Sequence, residues 1–173
     1  EQWITNVSAD QLLKINIANA RSNNQDAREV LAKNTLFKEI TAAAGIQYVH
    51  QERDFIDFNI QKLLPHKLSE YGPALATGDV NGDGLDDIII GGAFTYRTQL
   101  FLQQPNGRFI QRDLLPGSDA TQKKEEDMGM LLFDADGDGD LDLYIASGGY
   151  ENQPGTAAYQ DRLYINDGKG NFT

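Results

Sequence analysis

Two stretches of the chain switch from an apolar run to alternating acids and back again. "ALAT" at 74–77 leads into "DVNGDGLDD" at 79–87, and "IIIGGA" at 88–93 follows. "MGMLLF" at 128–133 leads into "DADGDGDLD" at 134–142, and "LYIASGG" at 143–149 follows. Short apolar runs bounded by turn residues read as strands. Each unit is therefore predicted to be a β-hairpin with an acidic nine-residue tip. A further element follows each hairpin: "QLFLQQPNGRFIQ" at 99–111 and "RLYINDGKGNFT" at 162–173. Both read as a strand, a Gly-containing turn and a second strand opening at Phe109 or Phe172. The two acidic motifs begin 55 residues apart. A period of this order with four short strands per unit points to the blades of a propeller.

The rest of the chain is less regular. "QLLKINIA" at 11–18 alternates as a strand, with Leu13, Ile15 and Ile17 on one face. Residues 19–34 are polar and Asn-rich and read as a linker, with room for a helical turn around Asp26–Lys33. "LFKEIT" at 36–41 is strand-like and resembles "RFIQRD" at 108–113. "AAAGI" suggests a helical turn stopped by Gly45, a strand is expected near 55–60, and Pro65 and Pro73 shape a loop. "YENQPGTAAYQD" at 150–161 interrupts the second unit and is expected on the surface. The fold class expected is all-β. It comprises about two four-stranded blades of a partial β-propeller over 35–173, preceded by a strand segment (1–18) and a linker (19–34).

Composition narrows the partners. The 173 residues carry a formal charge of −11 and are 40% hydrophobic, enough for a packed core. An acidic chain lacks the basic face that nucleic acid or an anionic membrane surface requires. A cation is the natural counterpart. There is no cysteine, so disulfides, thiolate metal sites and Cys nucleophiles are excluded. No apolar run is long enough for a membrane helix, and the start "EQWITNVSADQLLKI" lacks the basic and apolar regions of a signal peptide. The chain reads as a piece of something longer.

Oxygen ligands on alternate positions of a tight loop suit a hard divalent cation, and Ca²⁺ takes about 6–8 oxygens. In the first loop the candidate ligands are the side chains of Asp79, Asn81, Asp83 and Asp87 with the carbonyl of Leu85. In the second they are Asp134, Asp136, Asp138 and Asp142 with the carbonyl of Asp140, whose side chain is expected to face water. Gly84 and Gly139 hold the sixth position, where the coil needs positive φ. Asp86 falls outside the ligand register. An EF-hand loop would need Glu at position 12; that position is Ile90 or Ile145, so the EF-hand is rejected. Mg²⁺ fits less well because it usually keeps several waters. With four carboxylates against three, the second loop is expected to hold Ca²⁺ more tightly.

"TGDVNGDGLDDIIIGGA" resembles the FG-GAP/VCBS repeats of integrin-α-like propellers. "LFDADGDGDLDLYIASGG" does so less completely, because Phe133 replaces the Gly that usually precedes the first Asp. "LFKEITAAAGI" is similar to blade openings in the branch related to cartilage acidic protein. "ITNVSADQLLKI" is similar to the end of an ASPIC/UnbV domain. The resemblance implies two calcium sites on the residues named above and a junction between two domains. It also implies a role in adhesion or ligand binding outside the cell, at its surface or in the periplasm, with a protein or glycan partner. Incomplete blades would expose sheet edges and invite self-association.

No catalytic constellation stands out. His50 and His66 lack metal-ligand spacing, Ser69 sits in no nucleophile elbow, and no phosphate or dinucleotide loop occurs. "KKEEDMG" at 123–129 reads as a solvated charged turn, and Tyr150 and Tyr159 as packing or exposed residues of the insertion. A non-catalytic calcium module is expected. The alternative is a carbohydrate-active or carbohydrate-binding protein.

Overall fold

The computed structural model describes residues 36–173. The strand expected at 11–18 and the linker at 19–34 lie outside them. The chain divides into two compact units, Glu1–Glu39 and Ile40–Thr173. Within the described part of the first unit, residues 36–39 form no strand, and Leu36 and Phe37 are almost fully exposed. The strand expected at 36–41 is therefore not formed. An extended segment becomes a strand only when a neighbouring strand pairs with it; here the carbonyls of Ile40 and Thr41 instead accept the N–H groups of Ala44 and Ile46 in the turn that follows.

In the second unit, seven strands form two antiparallel sheets. The first sheet holds β1 (Leu75–Gly78), β2 (Asp87–Ile90), β3 (Gln99–Gln103) and β4 (Phe109–Asp113) in that order. The second holds β5 (Glu126–Phe133), β6 (Asp142–Gly148) and β7 (Arg162–Tyr164). A bridge between Asn166 and Phe172 starts a fourth pairing beside β7. Each sheet is a simple meander, as in a propeller blade. Register is fixed by the alternating pattern: Ile89 faces Leu100 across β2 and β3, and Leu143 and Ile145 occupy alternate positions of β6.

The core lies between the sheets. Ile89, Leu100, Leu143 and Ile145 are fully buried, with Val80, Leu114 and Phe172 closing the cluster. Each such side chain contributes roughly 1.5–3 kcal/mol by leaving water. Gly78 permits the close approach, since a Cβ there would meet Leu141 Cδ1 at 2.9 Å and Leu132 Cδ1 at 3.2 Å. The equivalent residue before the second acidic loop, Phe133, is 38% exposed.

The segment before β1 docks without forming a strand. Residues 41–45 make the expected turn, closed by the Ala44 N–H on the Ile40 carbonyl and ended by Gly45 at φ 77°. The Ala44 carbonyl then accepts the N–H of Phe109 at the start of β4. The strand expected near 55–60 is instead a single 3-10 turn, Asp57–Asn59. Asp57 is fully buried there and accepts the N–H groups of Leu68 and Ser69 and the Ser69 hydroxyl. A short acid that can satisfy nearby backbone donors competes with strand pairing.

Candidate metal centre

Both acidic nonapeptides lie at the tips of hairpins, β1–β2 and β5–β6. Their local architecture is the same. The first Asp folds inward and accepts backbone N–H groups of its own loop. Asp79 Oδ1 accepts from Asn81 (3.2 Å), Gly82 (2.8 Å) and Asp83 (3.2 Å), and Oδ2 from Gly84 (2.7 Å). Asp134 accepts from Gly137 (2.7 Å) and Gly139 (3.1 Å). The third and fifth residues each accept the N–H two positions on: Asn81 from Asp83, Asp83 from Leu85, Asp136 from Asp138, and Asp138 from Asp140. Such turns suit Asp and Asn because their carbonyl oxygens reach their own backbone. Gly84 and Gly139 take φ of 83° and 96°, as the sixth position requires. Gly82 and Gly137 do the same at the fourth position, which the ligand spacing alone does not reveal.

The ninth residue acts as a staple. Asp87 and Asp142 are fully buried. Asp87 accepts from Val80 N–H (3.2 Å) and from Gln103 N–H in β3 (2.8 Å). Asp142 accepts from Ala135 N–H (2.8 Å) and Asn166 N–H (2.8 Å). Asp87 ties its loop to the third strand of its blade, and Asp142 ties its loop to Asn166, two residues past β7. Two carboxylate oxygens offer about four lone-pair sites, so these staples leave capacity for a cation.

The two loops differ in how their carboxylates gather. Asp134, Asp136 and Asp138 each bring one oxygen within 4.8 Å of the others. Among the described residues no other group of three acidic or imidazole side chains converges in this way, the first loop included, where Asn81 replaces one acid. Burial, then the charges of Asp138 and Asp142, push the Asp136 carboxyl above its ordinary value. Burial also raises Asp79, but the N–H groups of Gly84, Gly82, Asn81 and Asp83 outweigh it and leave that carboxyl low.

Asp140 departs from expectation. Its side chain does not simply face water: Oδ1 is buried without a partner, and Oδ2 lies 2.9 Å from where a Cβ on Gly168 would stand. Partial burial, then the charge of Asp138, raise its carboxyl. Asn166, unremarked in the sequence, joins the tips. Its Nδ2 donates to the carbonyls of Val80 (2.8 Å) and Leu141 (3.0 Å), and its Oδ1 accepts the N–H of Gly170. Asp86 is exposed, as its position outside the ligand register suggests.

The charge run at 123–129 is a correction. It is no solvated turn, because Glu126 and Asp127 open β5 and are each 2% exposed. Asp127 pairs with Lys123 (3.2 Å) and Arg162 (2.5 Å), and accepts from Thr98 and from the Gly92 N–H. Glu126 accepts the Phe94 N–H at 2.6 Å. Burial, with the charges of Glu151 and Glu52 adding to it, raises its carboxyl to about 7. Acids can sit here because the cations that answer them come from the neighbouring connection and from β7. The other sequence candidates are engaged in local bonds. His50 bonds Tyr48 and Glu52, His66 bonds Tyr71, and the buried Ser69 donates to Asp57. Tyr150 and Tyr159 donate to Gln61 and to the Asn152 carbonyl.

No curated protein matches the chain. The family model described as FG-GAP-like repeat matches residues 79–145, from the first residue of the first acidic loop to β6 just beyond the second. The segment holding both acidic hairpins is thus similar to an FG-GAP-like repeat.

Proposed function

We propose that the chain is a calcium-binding, non-catalytic propeller module that works in adhesion or ligand binding outside the cell, at its surface or in the periplasm. The observation that carries the reading is the convergence of Asp134, Asp136 and Asp138 on an amide-rich hairpin tip. Three carboxylates this close repel one another, and a hard divalent cation removes that cost. The donor set fits Ca²⁺: hard oxygens throughout, no nitrogen or sulfur, and a main-chain carbonyl at the seventh position of each loop. Asp79, Asn81, Asp83 and Asp87 with the Leu85 carbonyl would hold one ion. Asp134, Asp136, Asp138 and Asp142 with the Asp140 carbonyl would hold the second. The bound ions would rigidify the tips and neutralise them. Sites of the extracellular kind, with Kd on the order of 10⁻⁴–10⁻³ M, fill outside the cell and stay largely empty in the cytosol.

Thermal unfolding in calcium and in EDTA tests this. At about 10 mM Ca²⁺ such a site adds roughly 1.4–2.7 kcal/mol. A rise in Tm of several degrees is expected, with Mg²⁺ at equal concentration giving less. Superimposed curves in calcium and EDTA would refute the proposal.

A further inference from the structure

The two sheets correspond position by position. Measured from the first Asp of each acidic loop, Ala76 matches Leu131, Gly78 matches Phe133, and Ile89 matches Tyr144. "QLFLQ" at 99–103 and "RLYIN" at 162–166 match Leu100 with Leu163 and Phe101 with Tyr164. The registers agree. Ile89 faces Ala76 on one side and Leu100 on the other, and Tyr144 faces Leu131 and Leu163 in the same way.

This row meets opposite surroundings in the two sheets. In the first, Ala76, Ile89 and Leu100 are buried, and the last two belong to the core shared with the second sheet. In the second, Leu131 is 57% and Leu163 49% exposed. The second sheet turns its other face to the core, with Leu143 and Ile145 fully buried and Leu132 and Tyr164 packed beside them. Their counterparts in the first sheet are Ile88, Ile90, Thr77 and Phe101, which lie on that sheet's outer face. The sheets therefore stack front to back. A contact of this kind is heterologous, and it leaves one unmatched face of each kind.

Both unmatched faces are apolar in a chain of charge −11. On the second sheet the face carries Leu131, Phe133, Tyr144 and Leu163. The acid opposite Phe133, Asp142, is buried and bonded to Ala135 and Asn166. On the first sheet Leu75 is 58% exposed opposite the half-buried Ile90. Tyr48 already covers Phe101, edge to face with 5.9 Å between ring centroids. An exposed apolar face of this kind marks an interaction surface. The contact already made inside the chain says what fits it: the first sheet's outer face bears the same positions that the second sheet buries in the core.

We infer that the Leu131–Tyr144–Leu163 face of the second sheet docks a second copy of this chain, head to tail, on the Leu75–Ile90 face of that copy's first sheet. The docked pair repeats the contact that the two sheets make within one chain. None of the exposed loop acids lies on either face, so the test is independent of the calcium reading.

Sedimentation velocity of the whole chain from about 10 µM to about 1 mM covers the range of weak interfaces. Species larger than the monomer are expected to grow with concentration. The double variant Leu131→Lys, Leu163→Lys should stay monomeric throughout, and so should Leu75→Lys. All three positions are exposed, so the circular dichroism of the parent should be kept. Mixed in equal amounts, the two variants should form a one-to-one dimer and nothing larger, because each supplies the face that the other has lost. A parent that is monomeric at every concentration overturns the inference. Association of Leu75→Lys alone overturns it in favour of a back-to-back dimer. Association of both variants separately overturns it in favour of strand-edge pairing. A mixture that yields no dimer overturns it as well.

Discussion

The two acidic tips share one backbone and differ in how their charge is answered. In the first, Asp79 is surrounded by four N–H groups, and an amide, Asn81, stands where the second loop has Asp136. In the second, Asp134 accepts from two N–H groups and three carboxylates converge. The first tip neutralises most of its charge with its own peptide groups. The second gathers three exposed carboxylates with fewer N–H groups around its first Asp. Identical spacing in sequence thus produces two loops whose first Asp is answered by four N–H groups in one and by two in the other.

The largest expected effect probes what the tips have in common. Asp87→Ala and Asp142→Ala each strip the acceptor from two backbone N–H groups, and each orphaned group costs about 1–3 kcal/mol. Both variants should lose about 2–6 kcal/mol in urea unfolding, with or without calcium. A loss seen only in calcium would mean that these acids serve the ion and not the fold, and the shared-staple picture would fail.

The next effect is a background that must be separated from the tips. Glu126 has a folded pKa of about 7, well above the ordinary value of 4.5. Its neutral form is favoured in the fold, so the native state holds a proton that the unfolded chain releases. That stability is full below about pH 4.5 and is lost as pH rises to about 7, by a few kcal/mol at most. The Phe94 N–H and, less strongly, Lys123 oppose the shift, while Glu151 and Glu52 add to it. In EDTA, unfolding free energy should fall between pH 5 and 7 in the parent and stay flatter in Glu126→Gln. Parallel curves for the two proteins would remove Glu126 from the explanation.

A smaller effect sharpens the contrast directly. Asn81→Asp gives the first loop the acid count of the second. It should tighten calcium binding there severalfold and, in EDTA, destabilise the chain by less than about 1 kcal/mol. The reverse change, Asp136→Asn, should weaken the second site. If calorimetric titration shows neither change moving affinity, carboxylate count does not distinguish the tips.

Much of this arrangement is legible in the chain because it is local. Ile88–Ile90 and Leu143–Ile145 announce buried strands, and Gly84 and Gly139 stand where a coiled loop needs positive φ. What the chain hides depends on residues far apart in it. Glu126 and Asp127 look like a solvated run until Arg162 and Thr98 arrive to pair with Asp127. Asp140 looks like a water-facing side chain until Gly168 packs over it. The segment at 36–41 has strand composition, yet composition cannot supply the neighbour that makes a strand. Asp57 sits in a stretch that could extend, and its bonds to Leu68 and Ser69 curl it instead. Asn166, which joins the tips, carries no motif of its own.

Calcium titration by calorimetry of the parent chain, Asp83→Ala and Asp138→Ala tests the central claim most directly. The expected result is two binding events in the parent, the tighter one lost in Asp138→Ala and the weaker one lost in Asp83→Ala. No binding heat in the parent, or a greater loss of affinity from Asp83→Ala than from Asp138→Ala, would contradict it.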